Sequence, residues 1–303
     1  MRRVLTLCLF LSVALLLAAG SAVASPVGPS PPTERGNATG ESPATTHTTP
    51  VTESVVDQRV TLSLTPDEPG RVRVVYRYEF PSYLTSFRVR LGPRTELSTT
   101  DGFARENGSF VWDTATSRPT ITVDYRANRT TTDTGPERAT AETGLVFADT
   151  GAWALVGLPR YSADWRYPSD EPAPTLRQRV RTDGPGVAGT DVVFLGGHTV
   201  YERTAHGQQF RLVVPEAASL RPTPTAVLNA TSAASDTLRV GDRDERVTVF
   251  AAPTGPEWAV RGLQTGETDA WVRADEPVTT PNNVWLHEYV HTRQSYTTTD
   301  ETR

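Results

Sequence analysis

Near the C-terminal end the chain reads Thr280-Pro281-Asn282-Asn283-Val284-Trp285-Leu286-His287-Glu288-Tyr289-Val290-His291-Thr292-Arg293-Gln294. A capping hydroxyl followed by proline at the first helical position predicts a helix that starts at Thr280-Pro281. On such a helix His287 and His291 lie one turn apart on one face, with Cβ atoms about 6 Å from each other, the span at which two imidazoles reach one ion. Neutral imidazoles suit Zn²⁺, and Glu288 projects beside the pair, where it can take a proton from an attacking water. With five His and eighteen Glu in the chain, about 0.005 such H-E-x-x-H patterns are expected by chance. The pattern therefore outweighs a coincidental polar helix surface, and Glu288 is the candidate catalytic base with His287 and His291 as metal ligands.

Composition narrows what can complete that site. The 303 residues contain a single cysteine, Cys8, in the apolar run Val4 to Ala19 behind Met1-Arg2-Arg3. Small residues at Ala22 and Ala24 predict a signal peptide over 1–24; a run of this length also matches an uncleaved membrane anchor. Cys8 lies short of a lipidation position, and Arg2-Arg3 is a weak match to a twin-arginine signal. Cleavage would leave a chain without cysteine, hence without disulfides or thiolate ligands, so an oxygen ligand must complete the histidine pair. It would also take the formal charge from −5 to −7. With every one of the 30 basic residues an Arg, no basic run and a pI near 5.6, the chain is a poor partner for a phosphate backbone, which excludes nucleic acid.

The elements ahead of the motif read as β structure. Residues 25–54 are rich in Pro, Ser and Thr and form a tether with too few apolar side chains to offset ordering. From Val55 to about Pro253, period-2 alternation predicts strands at Val60–Leu64, Val72–Tyr78, Phe87–Leu91, Ile121–Tyr125, Val192–Leu195, Phe210–Val214 and Val247–Phe250. Turn formers separate them, including Gly186 to Gly189 and Gly196-Gly197, and a short helix is expected around Ala217 to Leu220. His198 and His206 have no partners at ligand spacing and read as structural. Ser162, Asp164, Trp153, Tyr161, Trp165 and Tyr167 could line a groove, though such residues more often pack a core. Sequons stand at Asn37, Asn107, Asn128 and Asn229, marking a possible glycoprotein.

The block His287 to Gln294 resembles the zinc helix of gluzincin metallopeptidases. A β-rich domain ahead of that helix is similar to the layout of the glycyl-aminopeptidase-like and aminopeptidase N-like members. Ile121 to Tyr125 leading to Gly144-Leu145-Val146-Phe147 is also similar to the former group. The resemblance implies Zn²⁺ held by His287 and His291, Glu288 as general base, and a peptide or protein substrate. Gluzincins draw a third ligand, a Glu, from a following helix. This chain ends twelve residues after His291, with Asp300 and Glu301 as its only later carboxylates. Metzincins place a third His six residues after the second, where Thr297 stands, and Gln294 replaces their Gly.

The expected architecture is mainly β: an antiparallel sandwich or saddle over 55–253, then the start of an α-helical zincin-type catalytic domain over 254–303. The expected protein is an exported metallopeptidase, secreted or on the extracellular face of the membrane through a tether. It is cut before its third ligand and so inactive alone. The rival is a secreted or surface-tethered β-sandwich module with a binding or structural role, which leaves the His pair incidental.

Overall fold

Strand after strand follows the expected alternation. In a computed structural model of the chain, residues 54–126, 148–159, 161–237, 244–253, 260–279 and 281–293 are described, and all belong to one compact unit. The signal, the tether, Asn37, Asn128, Gly144 to Phe147, Asp300 and Glu301 lie outside them. The first strands are β1 (Val55–Leu64), β2 (Arg71–Glu79), β3 (Ser86–Leu91), β4 (Thr95–Asp101), β5 (Phe103–Glu106), β6 (Ser109–Trp112) and β7 (Thr120–Arg126). There follow β8 (Ala148–Asp149), β9 (Ala154–Gly157), β10 (Tyr161–Arg166), β11 (Thr175–Thr182), β12 (Gly186–Ala188), β13 (Val192–Leu195), β14 (His198–Ala205) and β15 (Gln208–Pro215). Helix α1 (Pro224–Thr237), β16 (Arg246–Ala252), β17 (Gly262–Gln264), β18 (Asp269–Arg273) and α2 (Val284–His291) complete the order.

These strands make four sheets: β11-β1-β2-β7-β4, β10-β3-β6-β5, β12-β13-β9-β8 and β14-β15-β16-β18-β17. The first two bury their alternating apolar residues against each other; in β2, Val72, Val74, Tyr76 and Tyr78 point inward while Arg73 and Arg77 face water. Gln58 is fully buried between them. It donates to the Tyr78 hydroxyl at 3.0 Å and accepts from Tyr161 at 2.7 Å, so no polar atom of its amide pair is wasted in the core.

The third sheet is a shared middle layer. Its strands β9 and β13 are buried along their whole length. Ala154, Val156, Val193 and Leu195 face the first core, while Leu155, Val192 and Phe194 join Val213, Phe250, Ala252 and Trp271 of the fourth sheet. Val192–Leu195 was expected to be half-buried; both its faces are covered, which is why it reads as an unbroken apolar run. The same holds for β16, with Val247, Val249 and Ala251 under the helices and Phe250 and Ala252 against the middle sheet.

Three further expectations are corrected. The sheets are not all antiparallel: β1 and β11 are parallel, as are β15, β16 and β18. Parallel neighbours need a crossover, and α1 supplies the one between β15 and β16. No helix forms at Ala217 to Leu220. It starts at Pro224 instead, where the Thr223 hydroxyl accepts the Ala226 N–H at 3.2 Å and proline occupies the first turn. Gly186 to Ala188 is a strand, held by pairing with β13. Strand β16, before position 254, and β18, after it, are hydrogen-bonded neighbours in the fourth sheet. Among the described residues after 254 there are two strands and the helix α2.

Asp269 ties the middle sheet to the fourth. Its carboxylate, almost fully buried, accepts the backbone N–H groups of Thr190 and Asp191, the latter at 3.0 Å. Gly189 lets the loop come this close, since a Cβ there would sit 2.1 Å from the Asp269 Oδ2. Burial pushes the Asp269 carboxyl above its ordinary value of 3.8, and the N–H groups pull it back. A raised folded pKa means the stability contribution is full below that ordinary value and is lost as pH rises through the folded one. Asp269→Ala is expected to cost about 3 kcal/mol in urea unfolding, because it strands buried N–H donors. Asp269→Asn should cost less and flatten the fall in stability on raising pH from 4; an Asn variant with the wild-type pH profile would sink this account.

Candidate metal centre

Helix α2 presents three faces, each with a separate task. Trp285 and Tyr289, four residues apart, are fully buried in the core shared with α1 and the fourth sheet. The indole N–H donates to the Glu276 carbonyl at 2.9 Å, and the Tyr289 hydroxyl donates to Gln208 Oε1 at 2.9 Å. Gln208 is itself buried; it accepts from Ser235 of α1 at 3.3 Å and donates to the Asp244 carbonyl at 2.9 Å. Both aromatic residues thus gain apolar burial without leaving a polar handle unmet.

Two residues further along, about half a helical turn round, His287 and His291 point away from that core. Their Nε2 atoms lie 3.0 Å apart, with the rings near perpendicular at 87°. Two nitrogens bound at about 2.0–2.1 Å in a tetrahedral set stand about 3.3 Å from each other. The pair therefore fits two corners of a zinc site within a few tenths of an ångström. Among the described residues no group of three or more ligating side chains converges.

The third face carries Val284 and Glu288 against β17. A Cβ on Gly262 would lie 2.8 Å from Val284 Cγ1 and 2.9 Å from Glu288 Cγ, so only glycine allows this approach. The Gln264 backbone N–H lies close enough to the Glu288 carboxylate to favour its charged form. Burial pushes the Glu288 carboxyl up, while the neighbouring charges of His287 and His291 and that N–H draw it down. A carboxyl raised toward neutrality is suited to accept and return a proton. A cavity of about 400 Å³ opens alongside, lined by Arg261, Gly262, Asn282, Asn283, His287 and Glu288.

The helix begins later than its sequence suggests. Asn283 is the cap, its Oδ1 accepting the Leu286 N–H at 3.1 Å, and Pro281 precedes the first turn. Thr280 lies outside the described residues. Of the remaining expected residues none joins this site. His198 Nδ1 is 3.0 Å from the Gly196 carbonyl, and His206 pairs with Asp236 at 3.5 Å. Tyr161 is engaged by Gln58, Trp165 stacks on Phe87, Trp153 stacks on Phe194, and Tyr167 is exposed, so these aromatics form no common groove. Ser162 and Asp164 belong to β10. Sequence reasoning missed Gly262, Gln264 and Arg261. A glycine within a short strand signals a close approach but does not name what approaches.

No family model matches the chain, and no curated protein does. Among solved structures, an aminopeptidase N family protein from Idiomarina loihiensis is 11% identical with a TM-score of 0.42, the match covering 78% of this chain and 47% of that one. An M1 zinc metallopeptidase from Deinococcus radiodurans is 13% identical with a TM-score of 0.40, covering 78% and 63%. A mutant of the latter bound to a Tyr-Ser-Ala substrate is 12% identical with a TM-score of 0.41, covering 78% and 63%. The chain spans less than two thirds of the length of each. Likeness of this degree gives no residue a role, which leaves the chemistry to the arrangement around α2.

The tightness at Gly262 is open to test. Gly262→Ala is expected to cost about 1–3 kcal/mol in urea unfolding, the range for overpacking a filled site. A variant within about 0.5 kcal/mol of wild type would mean that β17 gives way and does not fix the Glu288 carboxylate.

Proposed function

We propose that this chain carries the proton-transfer base and two ligands of an exported zinc-dependent metallopeptidase that hydrolyses peptide bonds. The observation that carries the proposal is the 3.0 Å convergence of two imidazole nitrogens beside a buried carboxyl at the mouth of a cavity. When bound, zinc would supply Lewis-acid polarisation of a peptide carbonyl and acidify the attacking water. The protein's part is positional. His287 and His291 would present their Nε2 atoms to the ion from a helix held by Trp285 and Tyr289. Glu288, with the Gln264 N–H beside it, takes a proton from the water at a carboxylate oxygen and delivers it to the nitrogen of the departing amine. The third ligand, an oxygen donor, comes from outside the described residues.

Export is supported by the charged, apolar and small-residue order of 1–24, and the tether by the composition of 25–54. Asn107, in a turn after β5, and Asn229, on α1, are both exposed and can take a glycan. Location is therefore proposed as secreted or at the outer face of the membrane.

The test is metal stoichiometry followed by activity. The protein, with whatever sequence completes its site, is expected to retain one Zn²⁺ through dialysis. His287→Ala/His291→Ala should weaken zinc by more than about 100-fold. Glu288→Gln should keep the metal and lose hydrolysis. Unchanged zinc content in the double variant would overturn the ligand assignment, and an active Glu288→Gln protein would overturn the base.

A further inference from the structure

The cavity beside the histidine pair has an arginine at its rim that the chemistry above does not use. Arg261 immediately precedes β17 and its side chain is about half exposed at 47%. Its Nε donates to Glu276 Oε1 at 2.8 Å and its Nη2 to Glu276 Oε2. Glu276 is itself buried and is also approached by Arg273 Nη2 at 3.3 Å, while Arg273 is clasped by Asp275 at 2.8 and 2.9 Å. The guanidinium is thus held in a fixed plane by one edge. Among the described residues its Nη1 has no acceptor.

Of this cluster Arg261 is the member that lines the cavity. The other polar groups there include the side-chain amides of Asn282 and Asn283. Since Asn283 Oδ1 is spent on the Leu286 N–H, its amide keeps its NH₂ donors. Among the described lining residues the one acid is Glu288. An anion entering the cavity would meet a planar, pre-oriented guanidinium suited to carboxylate.

We propose that this cavity recognises a carboxylate and that Arg261 is its specificity-determining residue. Resting on the peptidase reading, the substrates are peptides that carry an acidic side chain or a free C-terminal carboxylate close to the bond that is cut. The guanidinium orients that carboxylate through Nη1, with Glu276 keeping it from turning away. A chain with a net charge of −5 otherwise repels such peptides, so a fixed local cation is what admits them.

The experiment uses the ¹⁵N-labelled chain in excess chelator, so that zinc cannot hold a carboxylate. It is titrated with N-acetylglutamate α-amide, with N-acetylalanine and with neutral N-acetylglutamine α-amide, following the Gly262 and Asn283 amides and Arg261 Nε. At least one anionic probe is expected to bind about tenfold or more tighter than the neutral one, the value of a charge-assisted bond. The stronger of the two identifies side-chain or terminal carboxylate as the source, and equal binding of both supports the shared chemistry. Arg261→Gln should abolish the preference. Affinity for both anionic probes no greater than for the glutamine amide overturns the proposal on the wild-type protein alone, even if the variant fails to fold, and a preference that survives Arg261→Gln overturns the role of Arg261. Zinc content is measured separately. If the protein with its completed site binds no zinc while the anion is preferred, only the peptidase reading sinks; if it binds zinc and the anion is not preferred, only this inference sinks.

Discussion

The geometry of the candidate site depends on one act of burial, that of Trp285 and Tyr289 on a single face of α2. Eight residues are too few for a helix to persist in water on its own. Truncating a buried Trp to Ala ordinarily costs about 3–5 kcal/mol, so these two anchors dominate the helix's hold on the fourth sheet. Their polar atoms fix rotation as well as depth: the indole N–H is committed to Glu276 and the phenol to Gln208. Once that face is committed, 3.6 residues per turn leaves His287 and His291 no choice but to face outward. Glu288 is turned sideways into β17 by the same constraint. The outward histidine pair, the inward Glu288 and the cavity beside them are all consequences of how the aromatic pair is seated.

That seat is rigid because of what lies beneath it. The fourth sheet is covered by the helices on one face and by the middle sheet on the other, with Phe250 and Trp271 on the second side and Val249 and Val272 on the first. The middle sheet in turn shares its far face with the first two sheets. Asp269 adds a directional lock to this apolar contact by drawing the loop after β12 onto the start of β18. A disturbance of the upstream β structure therefore reaches α2 through packed layers.

How much of this was legible varies with the kind of information a residue carries. Alternation located β1, β2, β3 and β7, because one face of each meets the core and the other meets water. It also found β13 and β16 while misreading them as half-buried, since an apolar run does not say what covers its second face. Helix α1 escaped notice: its Ala, Thr and Ser side chains lack a strong stripe, and its buried Thr231 and Ser235 satisfy themselves on α1's own carbonyl and on Gln208. The cap of α2 stands three residues beyond Thr280, because Asn283 is also a sound start and its side chain accepts the Leu286 N–H.

From sequence alone came the identity and spacing of His287, Glu288 and His291, the lack of thiolates outside Cys8, and the predominance of strands. Those are local properties, set by residue type and by the repeat of helix or strand. Tertiary structure decided the rest. Parallel pairing of β15, β16 and β18 carries the fold across position 254, β17 arrives against Glu288 through a glycine gap, and Arg261 is brought to the rim by a buried carboxylate fifteen residues away. Such contacts join residues whose separation along the chain has no period, so no pattern in the sequence could announce them. They exist because burying an aromatic pair and satisfying a buried charge each require partners that only the packed layers supply.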